Sequence, residues 1–317
     1  MRLRKPFRES DTMSFEIKEM TVKSTDNIHT LVGRIYIPEN EIKGIVHIVH
    51  GMTEYIERYD PLMSALAENG YVAFGYDNLG HGKTAKDDSE LGFIAHKNGW
   101  KYLVNDVEAF ALAVKHIYPD KPMYLMGHSM GSFIARLAAV SFEKLYEKLI
   151  ICGTGGRNPL SGAGLFITSL IRLIRGEKHI SKTVINIAFG TYNKRFDNSS
   201  KYNWLSKDKT IIEKYEADKF CNFDFTVSAM HDLVTLNSVC NKKKWYKDIS
   251  KSMPILLISG MEDPVGNYGK GVTQVYDDLI KSGAKAELKL YPDCRHEILN
   301  DTCKAEVISD ILSFIRK

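Results

Sequence analysis

The amino-acid sequence predicts an α/β fold, with a mostly parallel central sheet covered by helices on both faces. Three observations carry this. Short strand-like runs alternate with longer helical runs along the chain. Several strand runs, such as 43–50 (KGIVHIVH) and 254–259 (PILLIS), are apolar almost throughout, as strands buried on both faces are. The chain has 317 residues, 44% hydrophobic and 26% charged, which is a globular composition with length enough for a large core.

Taken in order, 14–25 and 29–38 read as a β-hairpin turning at Asp26 and Asn27. Residues 43–50 form a buried strand that ends at Gly51. A helix over 58–69 places Leu62, Leu66 and Ala67 on one face, with Gly70 past its end. Strand 71–76 closes at Asp77, and a long helix follows at about 99–118. There Val104, Val107, Ala111, Val114 and Ile117 recur at helical spacing. Strand 123–128, helix 130–142 and strand 148–152 continue the alternation. Strand 254–259, helix 272–282, strand 286–291 and a last helix at about 303–316 repeat it. The stretch 157–245 breaks the rhythm with helical runs and no convincing buried strand. It reads as a helical insertion between core segments 1–156 and 246–317, lying over the sheet's carboxyl edge, where open α/β sheets bind ligands.

Composition excludes several function classes. Lys and Arg number 43 against 39 Asp and Glu, a net charge of +4, which gives no warrant for nucleic-acid binding. No run of apolar residues is long enough to span a bilayer. The basic N-terminus (Arg2, Arg4, Lys5, Arg8) leads into Glu9, Ser10 and Asp11 rather than an apolar segment, so no secretory signal is expected. The 5 cysteines are widely spaced and form no CxxC pair, so neither a zinc site nor a disulfide framework is expected. Reduced thiols in a cytoplasmic protein are the expectation. His47 and His50 stand three apart on a strand, hence on opposite faces, and do not suggest a metal pair.

The chemistry-bearing signal is Gly127-His128-Ser129-Met130-Gly131, a G-x-S-x-G pattern between a strand and a helix. A sharp turn there lifts a serine hydroxyl off the sheet, and only small residues at its two flanks permit the close chain approach. The helix N-terminus beneath offers unpaired N–H groups to a developing anion. Such a serine needs a base and an orienting acid, in the order serine, acid, histidine. His179, His231 and His296 follow Ser129, and only His296 lies beyond the loop after strand 254–259. That loop carries Asp263, with Glu262 as a neighbouring rival acid, and an Asp before Pro264 can also simply start a turn. No carboxylate directly follows strand 148–152. A second anion donor should come from the loop after strand 43–50, so the amides of Met52 and Met130 are the expected oxyanion pair.

These segments resemble the α/β-hydrolase superfamily and, within it, the monoacylglycerol lipase and lysophospholipase group, also grouped with serine aminopeptidases. The resemblance rests on HGMTEYIERY (50–59), YDNLGHGKT (76–84), GHSMGS (127–132), SGMEDPVGNYGKG (259–271) and LYPDCRHEILN (290–300), and spans nearly the whole chain. The cap stretch FGTYNKRFDN (189–198) is similar to bacterial members described as lysophospholipases. The chain departs from the group at Ser132, where glycine is usual, at Leu79, where arginine is common, and at Thr53, where a small residue is common. The resemblance implies Ser129 as nucleophile, Asp263 as orienting acid and His296 as general base and acid. It implies acyl-enzyme cleavage of carboxylic esters, with no metal and no organic cofactor.

Within the insertion, 165–175 (LFITSLIRLIR) gathers Phe166, Ile167, Leu170, Ile171, Leu173 and Ile174 in one arc, with Thr168, Ser169, Arg172 and Arg175 opposite. Such a helix either packs on the sheet or forms an apolar acyl-binding lid, in which Phe166, Leu170 and Ile174 would touch substrate. Its basic rim would then allow a transient contact with a membrane surface. The expected substrate is a single-chain lipid ester. Two other readings stand beside it. One is a peptidase that holds a free amine with Glu213 or Glu216, and the other is a non-catalytic binding module.

Overall fold

The structure, a computed structural model, describes residues 15–317. The basic N-terminal residues Arg2, Arg4, Lys5 and Arg8, and residue 14 of the first expected strand, lie outside the described residues. One eight-stranded sheet organises the rest. Its strands are β1 (Phe15–Lys23), β2 (Thr30–Pro38), β3 (Gly44–Val49), β4 (Tyr71–Tyr76), β5 (Met123–His128), β6 (Lys148–Cys152), β7 (Pro254–Gly260) and β8 (Lys285–Tyr291). Across the sheet they run β1-β2-β4-β3-β5-β6-β7-β8. The first two pairings, β1 with β2 and β2 with β4, are antiparallel, and every later pairing is parallel.

The apolar strand runs are explained by burial on both faces. Along β5, Met123 and Leu125 point into one core, while Tyr124 and Met126 point into the other. Helices α1 (Asp60–Glu68) and α10 (Lys304–Arg316) cover the second face through Leu62, Leu66, Val307 and Ile311. Helices α2 (Gly99–Ile117), α3 (Met130–Ser141) and α9 (Lys270–Lys281) cover the first. On α2 the expected stripe is buried through Val104, Val107, Ala111 and Val114, but Ile117, the helix's last residue, is exposed. The β1–β2 turn is tied to α2: the Ser24 hydroxyl and the Thr25 amide and hydroxyl donate to the buried Asp106 carboxylate at 2.9, 2.7 and 2.7 Å.

Between β6 and β7 the chain forms α4 (Ser161–Arg175), α5 (Lys182–Phe189), α6 (Lys209–Ala217), α7 (Val227–Cys240) and α8 (Lys243–Asp248), with no strand among the described residues. These helices are not alike. Ala229, Met230, Leu236, Trp245 and Tyr246 of α7 and α8 belong to the first core. There the fully buried Arg136 of α3 donates to the Cys240 carbonyl at 2.6 Å and lies 4.3 Å over the Trp245 ring. On α4, by contrast, Thr168 is buried, while Phe166, Leu173 and Ile174 are 71%, 83% and 67% exposed. The apolar arc of α4 therefore faces mainly outward rather than inward as a lid lining, with Ile171 packed against the first core. Its inward anchor is polar, the Thr168 hydroxyl bonded to His231 Nδ1 at 2.9 Å.

The cysteines also depart from expectation. Cys294 and Cys303 are joined as a disulfide, which corrects the reading of five reduced thiols, while Cys152, Cys221 and Cys240 are free and buried. Among the described residues no helix is long and apolar enough to cross a membrane, and no cluster of three potential metal ligands exists.

The aromatic packing under β4 makes one prediction. Phe110 of α2 stacks on Tyr76 at 4.8 Å and on Phe74 at 5.8 Å between ring centroids. Phe110→Ala leaves a cavity beneath two strands and is expected to cost about 3–5 kcal/mol, read as a lower midpoint in urea unfolding.

Candidate active site

The site begins with a backbone problem. Ser129 lies between β5 and α3 with φ of 53° and ψ of −121°, a region that non-glycine residues rarely adopt and that costs about 1–3 kcal/mol. The sequence solves it with glycines. A Cβ on Gly127 would collide with the Gly131 carbonyl, and a Cβ on Gly131 would collide with the carbonyls of Val49 and His50. The Ser129 amide donates to the Cys152 carbonyl at 3.0 Å, and the Ser132 hydroxyl donates to the Ser129 carbonyl at 2.6 Å. Ser132, the departure from the usual glycine, thus braces the turn from within the helix.

The structure brings Ser129, His296 and Asp263 together. The Ser129 hydroxyl lies 2.9 Å from His296 Nε2, and His296 Nδ1 lies 2.9 Å from an Asp263 oxygen. Asp263 is fully buried after β7, where it also accepts from the Ser259 hydroxyl at 3.2 Å and the Val265 amide at 2.8 Å. The rival Glu262 turns away: its carboxylate is 38% exposed and sits 3.5 Å from Lys207 and 3.9 Å from Arg295. His296 follows β8 and is seated by its own amide, which donates to the Trp204 carbonyl at 3.3 Å, and by the Trp204 ring at 5.2 Å.

The loop after β3 is built by three contacts with the segment after β4. His50 Nδ1 donates to the Gly51 carbonyl at 2.8 Å, and its Nε2 accepts from the Asn78 amide at 2.8 Å. His81 Nδ1 donates to the Leu79 carbonyl at 2.9 Å, and its Nε2 accepts from the Thr53 amide at 3.2 Å. The Ile56 amide donates to Asp77 at 2.8 Å. Both histidines are fully buried, and burial lowers both pKa values, that of His81 to about 3. Each is therefore neutral, as its one donor and one acceptor contact require. Met52 lies in this loop. Met130 is the first residue of α3, so its N–H has no partner within the helix. Both residues line the cavity that holds Ser129.

That cavity has a volume of about 430 Å³. Its walls include Phe133 of α3, Ile185 and Phe189 of α5, and Leu233 and Val234 of α7. The expected lining residues Phe166, Leu170 and Ile174 are instead exposed on the outer face of α4, and α5 and α7 supply the apolar surface in their place. Glu213 and Glu216 are both exposed on α6, where Glu216 accepts from the Ser200 hydroxyl at 2.5 Å. The carboxylates that do line the cavity are Glu54, Asp224 and Glu297. Each is already engaged: Glu54 with His128 at 3.0 Å, Asp224 with Lys182, and Glu297 with Arg58. Sequence reasoning passed over Glu54, Arg58, His81, His128 and Glu297. The only local hint was their clustering in HGMTEYIERY, GHGKT, GHSMGS and RHEILN.

The family described as serine aminopeptidase, S33 matches residues 40–303. A monoglyceride lipase homolog of monkeypox virus is 26% identical over 276 residues, covering 86% of this chain and 89% of that protein. The monoglyceride lipase of Rattus norvegicus is 26% identical over 231 residues, covering 73% and 68%. Among solved structures, a highly thermostable carboxyl esterase from Bacillus coagulans in complex with glycerol superposes with a TM-score of 0.90 at 31% identity, covering 95% of this chain and 98% of that one. A soluble variant of the Saccharomyces cerevisiae monoglyceride lipase, with a substrate analog, superposes with a TM-score of 0.73 at 20% identity, covering 98% and 97%, and shares the fold.

The neutral histidines set an acid limit on stability. His81 binds a proton near its ordinary value of 6.5 when unfolded but only near about 3 when folded. The unfolded chain therefore takes up protons first, and stability falls as pH falls through that window. In His81→Gln, urea unfolding between about pH 6 and 4 is expected to show a slope shallower than the wild type by up to about 1.4 kcal/mol per pH unit.

Proposed function

The chain belongs to the serine aminopeptidase S33 family of α/β-hydrolases, and from that premise we propose that it is a carboxylic ester hydrolase acting on single-chain lipid esters through an acyl-enzyme on Ser129. The observation that carries this reading is the unbroken hydrogen-bonded line from buried Asp263 through His296 to the Ser129 hydroxyl.

His296 Nε2 takes the hydroxyl proton as Ser129 Oγ attacks the ester carbonyl. Asp263 holds the other ring nitrogen's hydrogen, which fixes the tautomer, and balances the imidazolium that forms. The amides of Met52 and Met130 donate to the tetrahedral oxyanion. His296 then returns its proton to the departing alcohol oxygen, leaving the acyl group on Ser129. Water repeats the sequence, with His296 as base and then acid, and frees the carboxylic acid.

The apolar walls from α3, α5 and α7 suit an acyl chain, and the cavity's size lies in the range that holds one small lipid. A peptidase reading needs a carboxylate free to receive an amine. The three at the cavity are each paired already, which supports the ester over the aminoacyl substrate. The names of the relatives, monoglyceride lipase and carboxyl esterase, agree with this choice. The outward apolar face of α4, with Arg175 at its end and Lys178 just beyond, serves as a contact for a lipid surface beside the cavity.

Ser129→Ala is expected to abolish p-nitrophenol release from decanoyl and acetyl esters and to abolish labelling by a fluorophosphonate probe. Unchanged turnover would overturn the assignment. In the wild type, the decanoyl ester should be cleaved with the higher kcat/KM. Leu173→Glu, at the most exposed apolar position of α4, is expected to slow hydrolysis of monoacylglycerol in vesicles while leaving the rate on monomeric p-nitrophenyl ester unchanged.

A further inference from the structure

A ring nitrogen that faces an acceptor must carry a hydrogen, and one that faces an N–H donor must not. His50 and His81 each face one of both kinds. His128 differs. Its Nδ1 lies 3.0 Å from a carboxylate oxygen of Glu54, and its Nε2 lies 3.2 Å from the backbone carbonyl of His296. Both partners only accept, provided Glu54 is ionised. Glu54 is fully buried, and the same carboxylate oxygen already receives the Gly51 amide and, at 2.8 Å, the Tyr59 hydroxyl. Its other oxygen is 3.7 Å from Arg58 Nε. A carboxylate surrounded by donors stays charged.

We propose that His128 is a doubly protonated imidazolium in the resting protein, and that it acts as a positioning residue that ties the loop carrying Met52 to the loop carrying His296. It spans two segments, as the Arg58–Glu297 pair also does: Glu54 belongs to the loop after β3, and the His296 carbonyl to the loop after β8. A neutral imidazole has one hydrogen and can hold only one of these two acceptors. The tie therefore exists only while the charge does.

The surroundings fit a buried cation. Burial by itself would lower the pKa of His128, but the charge and hydrogen bond of Glu54 outweigh it, Glu297 adds to the effect, and the value is raised. The segment after β3 presents His50, Glu54, Arg58 and Tyr59 to this pocket, and the loop after β8 presents Glu297 and the His296 ring, 4.7 Å away. Arg58 is itself paired with Glu297 and near Glu54, so the cations His128 and Arg58 are matched by two carboxylates. Because the folded-state pKa is raised, the tie is complete at low pH and is lost as pH rises through that folded value.

The inference rests on the role given to His296 for its consequence in catalysis, but not for its proton count. The test is a pH titration of the full chain labelled with ¹⁵N in its histidines, followed by NMR, with His128→Gln to assign the signals. The expected result is an imidazole carrying hydrogens on both ring nitrogens at pH 7, whose signals vanish in His128→Gln and which titrates at lower pH in Glu54→Gln. A His128 signal with only one protonated nitrogen at pH 7 overturns the proposal. In turnover, Glu54→Gln should move the alkaline limb of the kcat/KM profile to lower pH. His128→Gln should lower kcat by about 10- to 100-fold, as a misaligned base does, with KM changed less. Wild-type kcat in His128→Gln across the pH range would also overturn it. If either variant fails to fold, the wild-type titration still decides. An absence of ester hydrolysis would sink the proposed function while leaving the proton count readable.

Discussion

The close backbone crossing at Gly131 is the constraint on which the rest depends. Helix α3 starts so near the end of β3 that position 131 touches the carbonyls of Val49 and His50. That contact leaves no room for a side chain, and it sets where α3 begins. The start of α3 sets the turn at Ser129, and the turn sets the direction of the hydroxyl. The positive φ at Ser129 is held by this packing, together with the bonds from its amide to Cys152 and to its carbonyl from Ser132. Local strain persists where surrounding structure over-determines it.

Charge follows the same logic of enclosure. Buried histidines that meet one donor and one acceptor remain neutral, as at His50 and His81. The one that meets two acceptors is set against Glu54. In the same neighbourhood Arg58 lies between Glu54 and Glu297 and 5.0 Å over the Tyr215 ring. The low-dielectric interior makes unpaired charge costly, so these groups appear in matched sets. The protein thus keeps several ionisable groups close to Ser129 in paired sets.

Much of the fold was legible because its signals are local. Runs such as KGIVHIVH and PILLIS announce doubly buried strands, and β3, β4, β5, β6 and β7 fall where such runs lie, while β8 at the sheet's edge is only partly buried. The G-x-S-x-G turn was legible because its steric demand is written in adjacent residues. What failed was direction and distance. The arc on α4 is real, but periodicity cannot say which side faces in: Thr168, bonded to His231, is buried, and most of the arc is exposed. The link between Arg58 and Glu297 spans 239 positions, and the link between Glu54 and His128 spans 74. No spacing rule reaches so far, which is why those residues went unnoticed. The Cys294–Cys303 pair was missed because composition spoke for the chain as a whole rather than for one loop.

The order of strands has a further consequence. Ser129 follows β5, near the middle of the sheet, while Asp263 and His296 hang from β7 and β8 at its far edge, which pair only with β6 and with each other. A polypeptide leaving the ribosome therefore exposes its elbow serine long before the two groups that would activate it have been made. Under the proposed mechanism, that hydroxyl stays an ordinary alcohol, inert toward esters, until the final strands dock.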